Sequence, residues 1–170
     1  IDRLKRCRFI DRIVLATSDL ARDRVLLDLA AREGIAGFAG NEHDVLDRYY
    51  QIAYRLKPEI VVRCTGDCPL IDPQVTDLVI QRHIEKRKDY TSNTVIRSYP
   101  RGLDTEAMTF LALEKAAKEA HLPYQREHVT PYIFEHPELF SIEQVLAEPS
   151  RHQPGLRLTV DTKEDLLFSS

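Results

Sequence analysis

Glu59-Ile60-Val61-Val62-Arg63-Cys64-Thr65-Gly66-Asp67-Cys68-Pro69-Leu70-Ile71-Asp72-Pro73 is the stretch that decides the fold class. Glu59 to Cys64 reads as a buried strand, because β-branched residues follow one another without interruption by turn formers. Gly66 breaks that run, and Asp72-Pro73 opens a helix with a capping carboxylate and a proline at the first turn. The helix is predicted to reach about Lys86. Working outward, the same strand-then-helix rhythm occurs twice upstream. Arg12 to Thr17 is a short strand, followed by a helix from about Ala21 to Glu33 whose Val25, Leu26, Leu29 and Ala30 share a face and which Gly34 stops. Ala36 to Ala39 is a second strand, leading to a helix over Asp44 to Leu56 with Val45, Tyr49, Ile52 and Leu56 as its apolar stripe. Downstream the rhythm changes. Strands are predicted at Tyr90 to Val95, Thr105 to Phe110, Phe140 to Val145 and Leu156 to Val160, with helices at Leu111 to Ala120 and Arg126 to Glu135. Repeated βα units call for a mostly parallel sheet covered by helices on both faces, a three-layer α/β/α arrangement, and the later strands for a mixed, antiparallel addition.

The chain has 170 residues, 43% of them apolar, which is the size of one domain with a substantial core. A formal net charge of −3 supplies no field toward DNA or an anionic membrane, so a small molecule is the expected partner. The longest apolar runs, such as Ile13 to Ala16, fall far short of the roughly 20 residues that span a bilayer. The opening Ile1-Asp2-Arg3-Leu4-Lys5-Arg6 has no apolar core or cleavage site of a secretion signal. Cys7, Cys64 and Cys68 are an odd set without a CxxC pair, which fits a reducing cytoplasm; Cys64 and Cys68 read as packing residues ahead of a zinc or redox role. The basic residues Arg3, Lys5, Arg6, Arg8 and Arg12 read as a solvated helix face, since no aromatics interleave them for nucleic acid.

In open α/β sheets ligands bind beyond the carboxyl ends of the strands, so the loops there hold the candidate sites. In the first loop, Gly66-Asp67 follows a buried strand, and a carboxylate there can hold a hard cation or simply serve the turn. In the second, Leu158-Thr159-Val160 delivers Asp161 just before a helix. Asp161 can cap that helix, jointly with Thr162 and Glu164 or Asp165, or meet a cation. Two aspartates converging on one sheet edge would repel unless a divalent ion lay between them. The third loop is Ala39-Gly40-Asn41-Glu42-His43-Asp44. Free amides at the helix start there can meet a polar ring or a phosphate, and the alternative is an ordinary turn with Asp44 as cap.

Five ordered strings add a resemblance: Asp44-Val45-Leu46-Asp47-Arg48-Tyr49-Tyr50, Thr65 to Pro73, Gly102-Leu103-Asp104-Thr105-Glu106, Arg126-Glu127-His128-Val129-Thr130-Pro131-Tyr132-Ile133, and Thr159 to Leu166. In this order and spacing the chain resembles the cytidylyltransferase-like family of spore-coat polysaccharide biosynthesis, related to the CMP-KDO and CMP-sialic acid synthetases. The resemblance implies a single domain of the nucleotide-diphosphosugar-transferase fold, Rossmann-like in type. It implies a reaction in which a hydroxyl of a sugar or sugar acid attacks the α-phosphate of CTP and expels pyrophosphate, with Mg²⁺ as cofactor. By motif, Asp67 and Asp161 are the expected catalytic metal ligands. Gly40, Asn41, Asp44 and Gly66 are expected at the nucleotide, with Arg48 bracing the cytosine pocket or touching phosphate. Asn93, Asp104, Glu106, Arg126 and His128 are expected at the sugar. Each of these has a plainer reading: Asn93 finishing a turn, Glu106 paired on the sheet, Arg126 in a surface ion pair with Glu127, His128 packed. A homodimer is a further expectation from the family.

Family members begin with a strand and a glycine-, arginine- and lysine-bearing loop around the triphosphate, and they continue the last helix past Leu166. This chain is therefore read as lacking both, and marginal stability or self-association is expected of it. Two other readings stay in view. A glycosyltransferase of similar fold would carry a DxD motif, to which Asp67-Cys68-Pro69 is the nearest approach, and a noncatalytic binding or assembly module would have no need of the two aspartates.

Overall fold

A computed structural model describes residues 1–169 of the chain. In order, the elements are β1 (Val14–Ser18), α1 (Arg24–Arg32), β2 (Ala36–Gly40), α2 (Val45–Leu56), β3 (Ile60–Arg63), α3 (Pro73–Lys86), β4 (Tyr90–Ser92), β5 (Glu106–Thr109), α4 (Phe110–Glu119), α5 (Pro123–His128), α6 (Pro131–Glu135), β6 (Ile142–Gln144) and α7 (Lys163–Ser169). The α/β class is as expected. β1 and β2 are parallel, from Val14 opposite Ala36 to Ser18 opposite Gly40. A four-stranded sheet runs in the order β3-β5-β4-β6, with β4 antiparallel to β5 and parallel to β6. Among the described residues the strands thus form two sheets, where one was expected. No described helix is long and apolar enough to cross a membrane.

The chain divides into two compact units that interleave in sequence. The first takes residues 10–61 and 109–140. In it, α1 lies on β1 and β2 at Gly37, where a Cβ would stand 2.9 Å from Leu27 Cδ2 and 3.3 Å from Ala30 Cβ. The missing side chain selects the face of the helix that packs. Ala30 is buried while Val25 is 59% exposed and Leu26 faces solvent with it, so the predicted α1 face is corrected by one step of rotation. The α2 stripe is corrected likewise: Leu46 and Ala53 are the buried positions, and Leu56 is exposed. α2 starts where Asp44 accepts from Asp47 N at 2.9 Å, and it ends at Lys57 in the left-handed conformation, whose N–H reaches Ala53 O at 2.8 Å. α2 packs against β2, α4 and α5.

The helix predicted over Arg126 to Glu135 is two helices, α5 and α6. Val129 stands between them at φ 74° and ψ −55°, with Thr130 N donating to His128 O at 2.9 Å, a γ-turn of the rarer hand. Pro131 then opens α6 at its first position, where the N–H that proline lacks would have had no partner within the helix.

The second unit takes residues 2–9, 62–108 and the stretch from Ser141 onward. Its α3 begins and ends where the sequence places it, with Asp72 accepting from Gln74 N at 2.8 Å. Val75, Thr76, Val79, Ile80 and His83 are buried, and the helix packs on β4 and β6; each fully buried aliphatic side chain contributes about 1.5–3 kcal/mol. β4 is fully buried and shorter than predicted, because Ser92 Oγ accepts from Thr94 N and Oγ1 and turns the chain. The predicted strand over Leu156 to Val160 forms only a single parallel bridge, Arg101 with Arg157. Backbone bonds nevertheless direct this segment: Arg101 N to Leu156 O (2.9 Å), Leu158 N to Arg101 O (2.7 Å) and Val160 N to Asp67 O (2.8 Å).

Candidate functional site

In the first unit the candidate residues gather beyond the end of β2. Asn41 Oδ1 accepts from His43 N (2.8 Å) and Asp44 N (3.1 Å), closing the loop as a side-chain turn. Asp44 divides its carboxylate, Oδ1 to Asp47 N and Oδ2 to Arg126 Nη2 at 2.7 Å. Gly40 has a structural reason to be glycine, since a Cβ would stand 2.8 Å from Arg48 Cγ and 3.2 Å from Phe38 Cε1. Arg48 thereby lies against the end of the strand, with Nη2 3.5 Å from Glu42 O and Nε buried without a partner. A buried, unpaired guanidinium nitrogen at a loop of exposed polar groups is a place where a ligand acceptor would be favourable. Arg126 pairs with Asp44 rather than with Glu127, so the surface-pair reading is corrected. His128 is exposed, not packed.

In the second unit Glu106 stands on β5, and the other candidates lie in the segments that follow β3 and β4 and that precede β5 and α7. Asp67 is half-buried in the turn that follows β3, where Cys68 N donates to Thr65 O. Cys68 Sγ lies 3.2 Å from Thr65 Oγ1 and 3.7 Å from Asp67 Oδ1, and burial pushes the Cys68 thiol up to about 11. Gly66 is exposed, with nothing within 4 Å of a Cβ built there.

The bond from Val160 N to Asp67 O brings the backbone on either side of the two aspartates together. Asp161 is exposed, and both Arg157 Nη1 (2.9 Å) and Thr159 Oγ1 (2.8 Å) donate to its Oδ2. It does not cap α7. That work falls to Thr162 and Asp165: Asp165 N donates to Thr162 Oγ1 (3.2 Å), and Thr162 N and Asp161 N both donate to Asp165 Oδ2 (2.9 Å each). Arg157 also clamps Asp165 and holds its carboxyl well below the usual range.

The remaining residues support one another. Asn93 is fully buried and clasps the next segment, donating from Nδ2 to Leu103 O (2.8 Å) and accepting at Oδ1 from Thr105 N (2.9 Å). Asp104 receives both Arg97 nitrogens at 2.8 and 3.0 Å. Glu106, nearly buried, accepts from Arg63 Nη1 and Tyr90 Oη. Sequence reasoning missed Arg63, Arg97 and Arg157 as the partners of these carboxylates. Their one local signal is that each stands within a few residues of a quoted motif. Among the described residues, no three His, Cys, Asp or Glu side chains converge as a metal cluster.

The comparisons with known proteins agree with one another. A family model described as cytidylyltransferase matches residues 1–169. The spore coat polysaccharide biosynthesis protein SpsF of Bacillus subtilis is 38% identical over 157 residues, which is 91% of this chain and 64% of that protein. The solved structure of a cytidylyltransferase from Leptospira borgpetersenii is 35% identical, with a TM-score of 0.91 over 97% of this chain and 69% of that one. The structure of CMP:2-keto-3-deoxy-manno-octonic acid synthetase complexed with CTP, at 14% identity and a TM-score of 0.68 over 99% of this chain and 85% of that one, shares the fold. The chain thus spans roughly two thirds of the length of the two nearer proteins named. Matched by that family model along its described length, the chain belongs to the cytidylyltransferase family.

Proposed function

We propose that this protein transfers the cytidylyl group of CTP to a hydroxyl of a sugar or sugar acid, releasing pyrophosphate, in the making of a surface polysaccharide. The observation that carries this reading is the meeting of the Gly66-Asp67 turn with the segment that ends in Asp161, through Val160 N and Asp67 O at 2.8 Å, in a chain of this family. In the reaction the acceptor oxygen forms a bond to the α-phosphorus of CTP, the bond from that phosphorus to the bridging oxygen breaks, and pyrophosphate leaves with the electron pair while the hydroxyl proton is lost. Such a transfer needs positioning and neutralisation of phosphate charge more than covalent help.

Asp67 and Asp161 are proposed to hold Mg²⁺. Two carboxylates suit that ion, which keeps waters and shares substrate phosphates. When bound, it would supply charge neutralisation at the α-phosphate. Thr159 and Arg157 orient Asp161 from the side of Oδ2. Gly40, Asn41 and Arg48 are proposed to receive the nucleotide, with the unpaired Arg48 Nε as the donor that a base or phosphate oxygen would satisfy. Asp104 and His128 are proposed at the acceptor, and Asn93 and Glu106 are proposed to hold the 103–105 segment in place for it.

Calorimetric titration of CTP, with ATP as control, with and without Mg²⁺ and with Asp67→Ala alongside, tests the reading. CTP binding that depends on Mg²⁺ and falls at least tenfold in Asp67→Ala is the expected result, a loss of the size that follows removal of one charged contact. Equal binding of ATP, or none of CTP, would sink it.

A further inference from the structure

The guanidinium of Arg126 lies between two helix ends. Its Nη1 donates to Ala117 O at 2.7 Å and Ala120 O at 3.4 Å, carbonyls at the end of α4 that have no following turn to receive. Its Nη2 donates to Asp44 Oδ2 at 2.7 Å, while Asp44 Oδ1 caps α2 through Asp47 N. The cation therefore stands at the negative end of one helix and its carboxylate partner at the positive end of another, where each macrodipole favours it. The two side chains are 21% and 31% exposed, so the pair is largely shielded from solvent. Arg126 is presented from a fixed backbone, because the fully buried Val129, three residues on, ends α5 in a γ-turn directly after His128. On the other side, Asp44 N is held by Asn41 Oδ1, so what fixes Asp44 fixes the loop from Asn41 to Asp44.

We propose that Arg126 is a positioning residue for that loop, acting through Asp44, and through the loop for the base of the bound nucleotide. The inference rests on the reading of residues 40–48 as the nucleotide site. The chemistry needs arginine: a rigid planar fork reaches two carbonyls and a carboxylate at once, whereas an ammonium on a flexible stem is a point charge. Without the fork, Asp44 keeps its bond to Asp47 N but loses the charge that sets its second oxygen, and the loop loses its anchor to α4.

The test is calorimetric titration of CTP and of UTP into the wild-type protein, Arg126→Gln, Asp44→Asn and the double variant. Arg126→Gln is expected to weaken CTP binding about tenfold, the scale of one lost charged hydrogen bond, and to narrow the preference for CTP over UTP. The double variant is expected to bind no more weakly than the poorer single, because the two residues act as one unit. Should Arg126→Gln fail to fold, Arg126→Lys, which keeps the charge and breaks the fork, carries the same test. A wild type that binds CTP while the Arg126 variant binds it unchanged overturns this inference alone. So do losses that add in the double variant, or that fall equally on CTP and UTP, as a general loss of folded protein would make them. A wild type that binds no CTP removes the nucleotide reading of the loop and this inference with it.

Discussion

At Gly102 the backbone turns through φ 102°, and a Cβ there would stand 2.8 Å from the carbonyl carbon of Leu158 and 2.9 Å from its oxygen. Backbone cannot retreat as a flexible side chain can, so both the conformation and the space demand glycine. Gly102→Ala is expected to cost roughly 2 kcal/mol or more in urea unfolding, while Gly66→Ala, at an open position of ordinary φ, stays within about 0.5 kcal/mol; equal costs at the two would refute the assignment. The consequence reaches the site, because Gly102 is what lets the 156–160 segment run past Arg101 and on to Asp67. At this scale the sequence was informative about which residues matter and less so about whom they meet. Asp44 as a cap and Glu106 as a paired carboxylate were among the alternatives that residue type and place left open beside the nucleotide and sugar readings. The partners Arg63 and Arg126 could not be read, since their pairs with Glu106 and Asp44 join residues 43 and 82 apart and leave no local pattern, whereas Arg97 and Arg157 stand only 7 and 4 residues from Asp104 and Asp161.

Between α3 and β4 stands His83, 2% exposed, with its Nδ1 3.0 Å from Thr91 Oγ1. Burial lowers its pKa, and the Asp89 carboxylate opposes that shift only in part. The folded state therefore favours neutral imidazole more than the unfolded chain does, whose histidine titrates near about 6.5. The sign follows: the contribution to stability is whole above that pH and is lost as pH falls through the lowered folded value, because only the unfolded chain takes up the proton. Urea midpoints measured between pH 8 and pH 5 should decline on the acid side for the wild type and decline less for His83→Gln; an unchanged acid slope in the variant would show that other groups carry it. Elements with strong punctuation were legible, and α3, opened by Asp72-Pro73, is the clearest. Faces were not. The apolar positions of α1 satisfy two rotations of a helix equally well, and only the absence of a side chain at Gly37 decides that Leu27 and Ala30 face the strands. The break between α5 and α6 did have a signal in Thr130-Pro131, overridden by an apolar periodicity that continues across it.

Over the whole molecule the order of βα units and the family membership follow from the sequence, whereas the division of strands into two sheets depends on contacts between distant segments that no local pattern encodes. Three thiols offer a probe of the folded state that needs no ligand. Burial is the leading cause that pushes Cys7 and Cys68 up to about 11 and Cys64 up to about 12. Thiolate is the reacting form, so at pH 8 a thiol of ordinary pKa near 9 has about one part in ten available, and one of pKa 11 about one in a thousand. Alkylation of the folded protein by iodoacetamide at pH 8 should therefore be about a hundredfold slower at Cys7 and Cys68 than in urea, and slower still at Cys64. Reaction that does occur would proceed through opening of the structure. Any one of the three reacting in the folded protein within about tenfold of its rate in urea would contradict the burial that raises its pKa. The same shifts set the alkaline limit: a raised thiol contributes stability that is complete below the unfolded value near 9 and is lost as pH climbs through 11 to 12. With His83 acting from the acid side, stability should form a plateau between about pH 6.5 and 9, and the alkaline shoulder should move outward when Cys64 is replaced by Ala, because the group that must ionise there is gone.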